Sequence, residues 1–582
     1  METPLYHTIE GKSFFLRPAQ EGDEATVRAL SELGGMALAS DWQQGTVAVD
    51  SETKTVVGYL RVQQTSQGPH VAPVAVRPDW RGCGVGRVLM ENACAHHGPL
   101  KLVSQGCSVG FYRKIGCTEI PFESISNELE EDCAVCSDRA SCQPVAFIYE
   151  GPAEQQLPAA PSIESKLQQA RATFAETAEA CTACGACTAR CSLLANRGWS
   201  MRSLCDEGMA VVQRIESGVP LREALEGSDF LSFTLSCLGC ERCTAVCPEG
   251  IVVTASWLRG RELARAAGIL DDETLDIIKT DCTWNSFTKF RKMQGTSFDD
   301  LPQLCVEPID AHEAGWTNPN AANFPENPQA ETLFFPGCTL VSYAPELTRT
   351  AFAWLEEHQG PCLLGTQCCG STLGFMGETE RTRAWQERVI AAAQAQGVKR
   401  FVCVCPGCVT RLQPVAASMA PEIEFVSYAQ LLMDAGVQVD AGVFAPSETP
   451  VMVIDSCNDR AGMHGNAIRQ LFTGVENVLS PCRGADARCC GAGGGVNLYD
   501  QAFSRANTRY MLDLARDLGV HTLITACPTC SYTHALELMQ SAREGITSWQ
   551  DMGVRNYLEA AFGQRIDWAA VLDALMRMWQ ES

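Results

Sequence analysis

Cysteine spacing constrains this chain more than any other feature. Cys181, Cys184, Cys187 and Cys191 form C-x2-C-x2-C-x3-C, and Cys237, Cys240, Cys243 and Cys247 repeat it, with Pro248 directly after. Three thiolates so close in sequence can wrap three corners of a cubane iron-sulfur cluster, and the fourth cysteine of such a run normally reaches the neighbouring cluster. The expected ligand sets therefore cross: Cys181, Cys184, Cys187 and Cys247 on one 4Fe-4S cluster, Cys237, Cys240, Cys243 and Cys191 on the other. Four thiolates also satisfy tetrahedral zinc, but zinc ribbons separate two C-x-x-C knuckles by a longer loop. Cys205, Cys282 and Cys305 lie outside both runs and read as ordinary buried thiols.

Ten further cysteines form a second duplicated pattern. Cys338, Cys368, Cys369, Cys405 and Cys408 give C-x29-CC-x35-C-x2-C, and Cys457, Cys489, Cys490, Cys527 and Cys530 give C-x31-CC-x36-C-x2-C. Corresponding cysteines are displaced by 119 to 122 residues, the mark of an internal duplication. Each group follows an apolar run that reads as a strand, so the five thiols of a unit would gather at the carboxyl edge of its sheet. Five thiolates exceed the need of one tetrahedral ion or of a four-cysteine cubane. A cluster of unusual geometry, with at least one bridging thiolate, is the expectation. Pro406, Gly407, Pro528 and Thr529 inside the C-x-x-C loops read as shaping or ordinary turn residues. The GAGGG run at 491–495 follows a cysteine pair rather than a strand, which assigns it to backbone packing around a cluster instead of nucleotide binding.

Composition sets the remaining bounds. Thirty-one cysteines among 582 residues would mean disulfides in a short secreted chain, but in a long chain with no secretory leader they read as metal thiolates. No 18-residue apolar run appears, so no direct membrane span is predicted, and the cytoplasm is the expected location. A net charge of −24 repels nucleic acid and excludes that class of partner.

The fold class predicted is multidomain α/β. Residues 1–150 alternate short strands (FFLRP, GTVAV, TVVGYLRV, HVAPVAV) with helices, one beginning at about Asp23, and read as a compact α+β domain. Residues 151–165 read as a linker, 166–300 as a helical domain with two 4Fe-4S clusters, and 301–330 as a second linker rich in Asn and Pro. Residues 331–440 and 441–582 are the duplicated α/β units.

The five-cysteine units resemble the cysteine-rich CCG domains of the heterodisulfide reductase family, and the module before them is similar to the ferredoxin-type part of its fused catalytic subunit. The resemblance covers roughly 165–582. It implies two cubane and two non-cubane 4Fe-4S clusters, with all ten CCG cysteines catalytic, and thiol or disulfide chemistry at the CCG pair. It also implies a small-molecule disulfide or thiol as substrate, and a redox partner protein: a flavoprotein, a ferredoxin or a membrane cytochrome subunit. Iron-sulfur subunits of flavin-dependent hydroxy-acid and glycerol-3-phosphate dehydrogenases combine similar modules, so an electron-transfer subunit is the alternative.

Near the amino end, Val74, Ala75 and Val76 read as a strand, followed by Arg81-Gly82-Cys83-Gly84-Val85-Gly86 and a helix. Such a loop offers successive backbone N–H groups to a pyrophosphate. With Phe111-Tyr112-Arg113-Lys114-Ile115-Gly116 downstream, residues 8–150 resemble the GNAT acetyltransferase family. That implies acetyl-CoA bound by the 74–76 strand and the 81–86 loop, Tyr112 as general acid toward the departing thiolate, and N-acetyltransferase activity or an acetyl-CoA-responsive regulator. Cys117 stands where the family usually has Phe. Cys133, Cys136 and Cys142 read as free thiols, and His96 and His97 as solvated.

Overall fold

The structure, a computed structural model, describes residues 6–9, 12–33, 38–65, 67–81, 83–105, 108–125, 142–151, 161–311, 314, 316–324 and 328–581. Two compact units emerge, Met1–Gln156 and Leu157–Ser582.

In the first unit the β-branched runs become β3 (Thr46–Asp50), β4 (Val56–Thr65) and β5 (Gly68–Val76). They join β1 (Tyr6–Ile9), β2 (Lys12–Pro18), β6 (Leu100–Ser104), β7 (Thr118–Glu119) and β8 (Val145–Tyr149) in a sheet of order β1-β2-β3-β4-β5-β6-β8-β7. Alternate residues face opposite sides, and both sides are covered. Val27 and Leu30 of α1 (Glu24–Leu33) pack with Val47, Val49 and Tyr59. Val85, Leu89 and Met90 of α2 (Val85–His97) pack with Ala48, Val57 and Phe147 on the other face. Each such side chain, fully buried, stabilises the fold by roughly 1.5–3 kcal/mol. Neighbouring strands are antiparallel except β5 and β6, which run parallel and pair only at His70 with Lys101. Toward Val76 and Ser104 the two strands no longer pair, leaving a wedge in the sheet.

The second unit opens with helices. Ser162 caps α4 (Ile163–Ala180) by accepting from the Ser165 N–H at 3.1 Å, so the helix begins inside the stretch expected as linker. α4 lies along α5 (Met201–Glu216), with α6 (Asp229–Ser236) and α7 (Val253–Ala266) completing a core of Phe174, Leu204, Val211, Phe230 and Trp257. Two four-stranded sheets follow. One has order β10-β9-β11-β12, from β9 (Thr332–Phe335), β10 (Cys362–Leu364), β11 (Arg400–Cys403) and β12 (Glu424–Ser427). The other has order β14-β13-β15-β16, from β13 (Val451–Ile454), β14 (Val478–Leu479), β15 (Thr522–Thr525) and β16 (Gly553–Asn556). All pairs in both are parallel, so the sequence duplication is also one of topology. The central strands TLFF and TLIT are buried at every residue, as a sheet covered on both faces requires.

The 301–330 stretch, expected as a linker, is packed where it is described. Leu364 donates to the Pro302 carbonyl at 2.8 Å and Leu304 to the Leu364 carbonyl at 2.9 Å, so these residues satisfy the otherwise open edge of β10. Leu304 and Val306 join the core. Among the described residues no helix is long and apolar enough to cross a membrane.

Candidate functional site

The two ferredoxin-type runs fold alike. In each, the second and fourth positions after the first cysteine adopt left-handed backbone: Ala183 (φ 54°) and Gly185 (φ 77°) in one, Gly239 (φ 57°) and Glu241 (φ 58°) in the other. Left-handed non-glycine residues are held only by surrounding structure, and here they curl each loop so that its thiols face one side. Cys181, Cys184, Cys187 and Cys247 line one cavity beside Met201 and Ile251. Cys191, Cys237, Cys240 and Cys243 line a second with Leu194, Phe233 and Cys489. Cys247 thus lies with the first run and Cys191 with the second.

The ten CCG thiols form one continuous chain. Cys338 reaches Cys368, which adjoins Cys369, and Cys369 contacts Cys408, which meets Cys405. Cys405 Sγ stands 3.8 Å from Cys527 Sγ, and from there Cys530, Cys490, Cys489 and Cys457 continue the line. The second unit in turn abuts the ferredoxin module, with Cys240 next to Cys457. A Cβ on Gly493 would fall 2.2 Å from the Leu238 carbonyl and 3.0 Å from Cys489 Sγ, so the GAGGG run packs on cluster-loop backbone as well as on thiols. Ser236 donates to Asp500 at 2.6 Å and Arg460 to the Cys240 carbonyl across the same seam.

Electrostatics fit this donor set to a cluster. Burial pushes the Cys243 thiol up to about 12 and Cys237 well above its ordinary value. Hydrogen bonds from Cys489 and Cys530 pull Cys490 down to about 5, and one from Cys405 pulls Cys527 well down. Thiols this crowded and desolvated must share protons, and isolated thiolates there would be costly. Iron bound to them would supply the missing positive charge. Among the described residues no three Cys, His, Asp or Glu converge on a single-ion site. The ferredoxin-type thiols rim two cavities, and Cys338 and Cys368 border a third.

Local folding explains the CC-G triplets. Gly370 (φ 79°) and Gly491 (φ 107°) turn the chain just after each cysteine pair. A Cβ on Gly491 would lie 2.5 Å from the Ser504 carbonyl. The pairs are pinned through their carbonyls: Trp385 Nε1 donates to Cys368 at 2.8 Å, Gln386 Nε2 to Cys369 at 3.2 Å, and Thr508 Oγ1 to Cys490 at 2.6 Å. Pro406 and Pro528 open their helices, Pro406–Met419 and Pro528–Arg543, where the missing N–H costs nothing. Thr529 Oγ1 meets Thr339 Oγ1 at 3.1 Å, joining the units. Cys205 and Cys282 are buried.

Sequence reasoning missed a 390 Å³ cavity bordered by Cys338 and Cys368 and walled by residues drawn from 280–308, with Trp316 and Pro319. The signal available was the aromatic and basic helix α8 (Ser286–Met293) after Trp284, but cysteine spacing drew no attention to it.

In the first unit, Val74–Val76 occupy the end of β5 beside the wedge. Gly84 (φ 73°) ends the loop as the residue before α2, and a Cβ on Gly86 would lie 3.0 Å from the Phe111 ring. Arg81 Nε donates to the Val76 carbonyl at 3.2 Å, and Cys83 is buried. Tyr112, on α3 (Val109–Lys114), is buried and stacked on Phe147 at 5.8 Å, and burial pushes its hydroxyl well up, keeping it protonated. Burial likewise pushes Cys117 to about 12. His96 and His97 are exposed at the end of α2. Gly82, Cys133 and Cys136 lie outside the described residues, and Cys142 is half-buried.

Three domain families match. The GNAT acetyltransferase domain matches 42–118, the 4Fe-4S dicluster domain 180–252, and the cysteine-rich CCG domain 332–413 and 451–534. The chain carries all three. It is 23% identical over 335 residues to a fumarate reductase (CoM/CoB) subunit from Methanothermobacter marburgensis, covering 56% of this chain and 61% of that one. It is 27% identical over 227 residues to a dihydromethanophenazine:CoB–CoM heterodisulfide reductase subunit from Methanosarcina barkeri, covering 35% of this chain and 53% of that one. The chain therefore spans only about three fifths or less of these relatives. Among solved structures, Rv2747 from Mycobacterium tuberculosis in complex with CoA and NLQ aligns with 23% of this chain and 98% of its own, at 16% identity and TM-score 0.20.

Proposed function

We propose that this protein passes electrons from two cubane 4Fe-4S clusters to two non-cubane clusters at the CCG units and there interconverts a small-molecule disulfide and its thiols. The observation that carries this is contiguity: the Cys191, Cys237, Cys240 and Cys243 set abuts Cys457 and Cys489, and the two CCG sets meet at 3.8 Å between Cys405 and Cys527. The cubanes would be held by the crossed sets and the non-cubane clusters by Cys338, Cys368, Cys369, Cys405, Cys408 and by Cys457, Cys489, Cys490, Cys527, Cys530. Bound there, the clusters supply one-electron carriers. The chain contributes burial that excludes water, carbonyl anchors from Trp385 and Thr508 that fix the cysteine pairs, and thiols that hold or release protons. Cleaving a disulfide takes two electrons and two protons and yields two thiols.

The test is anaerobic reconstitution followed by dye reduction. About 16 iron atoms per chain should bind, and a panel of disulfides should reoxidise the reduced clusters. Saturation near eight iron, or no response to any disulfide, sinks this reading. The alternative is an electron-transfer subunit of a reductase complex, favoured by the fumarate reductase subunit among the relatives. It predicts that a co-purifying partner, and no disulfide, exchanges electrons with the clusters.

The first unit is read as an acetyl-CoA site. The β5/β6 wedge would take the pantetheine arm, the 81–86 loop the pyrophosphate, and Tyr112 would stand as proton donor. Gly84→Asp should abolish binding of acetyl-CoA, read by calorimetry, because both bulk and negative charge enter a left-handed position. Tyr112→Phe should retain binding and lose transferase activity.

A further inference from the structure

The inner ferredoxin-type set, Cys191, Cys237, Cys240 and Cys243, is the one beside Cys457 and Cys489, and guanidiniums without carboxylates surround it. Arg261 of α7 is fully buried. Its Nη1 donates to the Phe375 carbonyl at 2.9 Å and its Nη2 to the Leu235 carbonyl at 3.3 Å, while Nε has no partner. The Trp257 and Tyr499 rings stand 5.3 and 5.6 Å from it. Burial lowers the guanidinium to about 10, which leaves it charged at neutral pH, and the Cys237 thiolate acts on it more strongly than Tyr499 does. Arg261 lies beyond residue 252, where the dicluster match ends.

Arg242 and Arg460 repeat the pattern. Arg242 is buried, donates to the Arg190 carbonyl at 2.7 Å and leaves its Nε unpartnered. Arg460 donates to the carbonyls of Cys240, Gly484 and Ala485 and also leaves Nε unpartnered. Arg488 lines the same cavity, 3.7 Å from the centre of the Tyr510 ring. None of these four forms an ion pair among the described residues. Glu241, the one carboxylate among the described residues of the lining, accepts from Thr254 Oγ1 at 3.3 Å, and Asp486 close by is taken by Arg190 at 2.5 Å. Burial first, then repulsion from Arg488, Arg190 and Arg460, pushes Arg242 down. Buried cations without a counter-charge are costly, so the site calls for negative charge inside the thiol cavity. The outer set, Cys181, Cys184, Cys187 and Cys247, has no such collar. Thiols aside, the one charged side chain among the described residues of its lining is Glu249, which is exposed, as is Cys184. Arg202 reaches the Cys181 carbonyl at 3.1 Å but is exposed, so water screens its charge.

From this asymmetry we infer that Arg242, Arg261 and Arg460 are the counter-charge of the inner cluster and set its potential above that of the outer one, so that the first electron taken up by the pair rests on the inner cluster. Reduction adds one negative charge to a cluster, and cations held in a dry site stabilise that charge far more than exposed ones do. Burial alone acts the other way, because it disfavours added charge, and the guanidiniums more than offset it. The inference rests on the crossed ligand sets proposed above and adds the order in which the two clusters fill. The three arginines act through their field and are not catalytic residues.

The test is a stepwise reductive titration of the full chain with its clusters, using a low-potential dye and followed by electron paramagnetic resonance. Each step adds one electron from the dye to one cluster, and no bond is made or broken. Cys184→Ser and Cys243→Ser identify the outer and inner waves, since each alters one ligand set. In wild type the inner wave should come at the higher potential. Arg261→Met should lower the inner cluster's equilibrium constant for reduction about ten-fold, which is about 59 mV for one electron, with the outer wave in place. Arg261→Lys, which keeps the charge, should restore most of that shift. Should the Arg261 variants fail to fold, the half-buried Arg460→Gln carries the same expectation with a smaller shift, and Arg202→Gln should move the outer wave less than that. An outer wave at the higher potential, or an inner wave unmoved by Arg261→Met and by Arg460→Gln, overturns the inference while the ligand sets stand. If Cys184→Ser and Cys243→Ser alter the same wave, or iron fills only one set, the ligand assignment falls and the inference with it.

Discussion

The two CCG units share strand order, parallel pairing, five thiols and a left-handed glycine after each cysteine pair, yet their cysteines face different neighbours. The second turns Cys457 and Cys489 toward the ferredoxin loop of Cys240, with Gly493 pressed on the Leu238 carbonyl. The first turns Cys338 and Cys368 toward a cavity walled by residues drawn from 280–308, with Trp316 and Pro319. Duplication supplied two equivalent thiol sets, and what packs against each one distinguishes an end beside the ferredoxin-type module from an end beside a cavity.

That division breaks or holds on paired substitutions. The largest effect is expected from Cys490→Ser against Cys369→Ser, which swap a soft thiolate for a hydroxyl at matching positions. Both should abolish disulfide turnover, but Cys369→Ser should leave the second site reducible through the ferredoxin module, whereas Cys490→Ser should isolate the first. Stepwise dye titration followed by electron paramagnetic resonance reads the difference, and normal reduction of the first site in Cys490→Ser would dissolve the distinction.

Next comes Gly493→Ala. Its methyl would meet backbone that cannot rotate aside, so the cost should lie at or above the roughly 1–3 kcal/mol of ordinary overpacking. Electron delivery to the CCG pair should slow while the cubanes still reduce, which stopped-flow absorbance would reveal. Gly370, the counterpart of Gly491, meets only Trp385 and Thr382 of its own unit at 3.0 Å or more, so Gly370→Ala should damage its own turn without slowing the second site.

Smaller again is Ser236→Ala, which removes the 2.6 Å bond to Asp500 across the relay seam. A stability loss of about 1 kcal/mol, measured by denaturant titration of the holoprotein, should be accompanied by weaker coupling of the ferredoxin module to the second unit.

The smallest effect separates the helices that begin at the C-x-x-C loops. On Pro528–Arg543, burial pushes the Glu537 carboxyl up, but hydrogen bonds from Arg505, Arg509 and Ser541 outweigh it and hold the group below its ordinary value. A depressed carboxyl stabilises above its unfolded value of 4.5 and loses that contribution as pH falls through the folded one. No ion pair among the described residues ties Pro406–Met419 in this way. Hydrogen exchange should therefore show the second helix loosening first below pH 4.5, and Glu537→Gln should remove that acid limb while weakening the helix at neutral pH.

Much of this could be read in the sequence because thiol chemistry is local. Spacing alone gathered Cys181, Cys184 and Cys187, and the 119 to 122 residue offsets anticipated two sheets of one topology. Strand runs such as GTVAV announced themselves through β-branched residues. The 301–330 stretch did not, because it is rich in turn-forming Asn and Pro and its packing partners lie far along the chain: Leu304 finds Leu364, and Cys305 finds Gln396. Arg261 was equally silent. A basic residue on an amphipathic helix ordinarily faces water, and only tertiary packing buries it beside Cys237.

The short approach of Cys405 to Cys527 also carries an expectation for how this protein ages in air. Once iron is stripped, nothing keeps two thiols 3.8 Å apart from oxidising to a bond that closes a loop of more than a hundred residues. Such a clasp would freeze the paired units in register and bar fresh metal from both sites. Damage by oxygen would then be a locked shape rather than a lost one, and repair would begin with a thiol reductant, not with iron. Peptide mapping of aerated apoprotein should recover residues 405 and 527 on one cross-linked fragment, and its absence would mean the two halves drift apart before they can join.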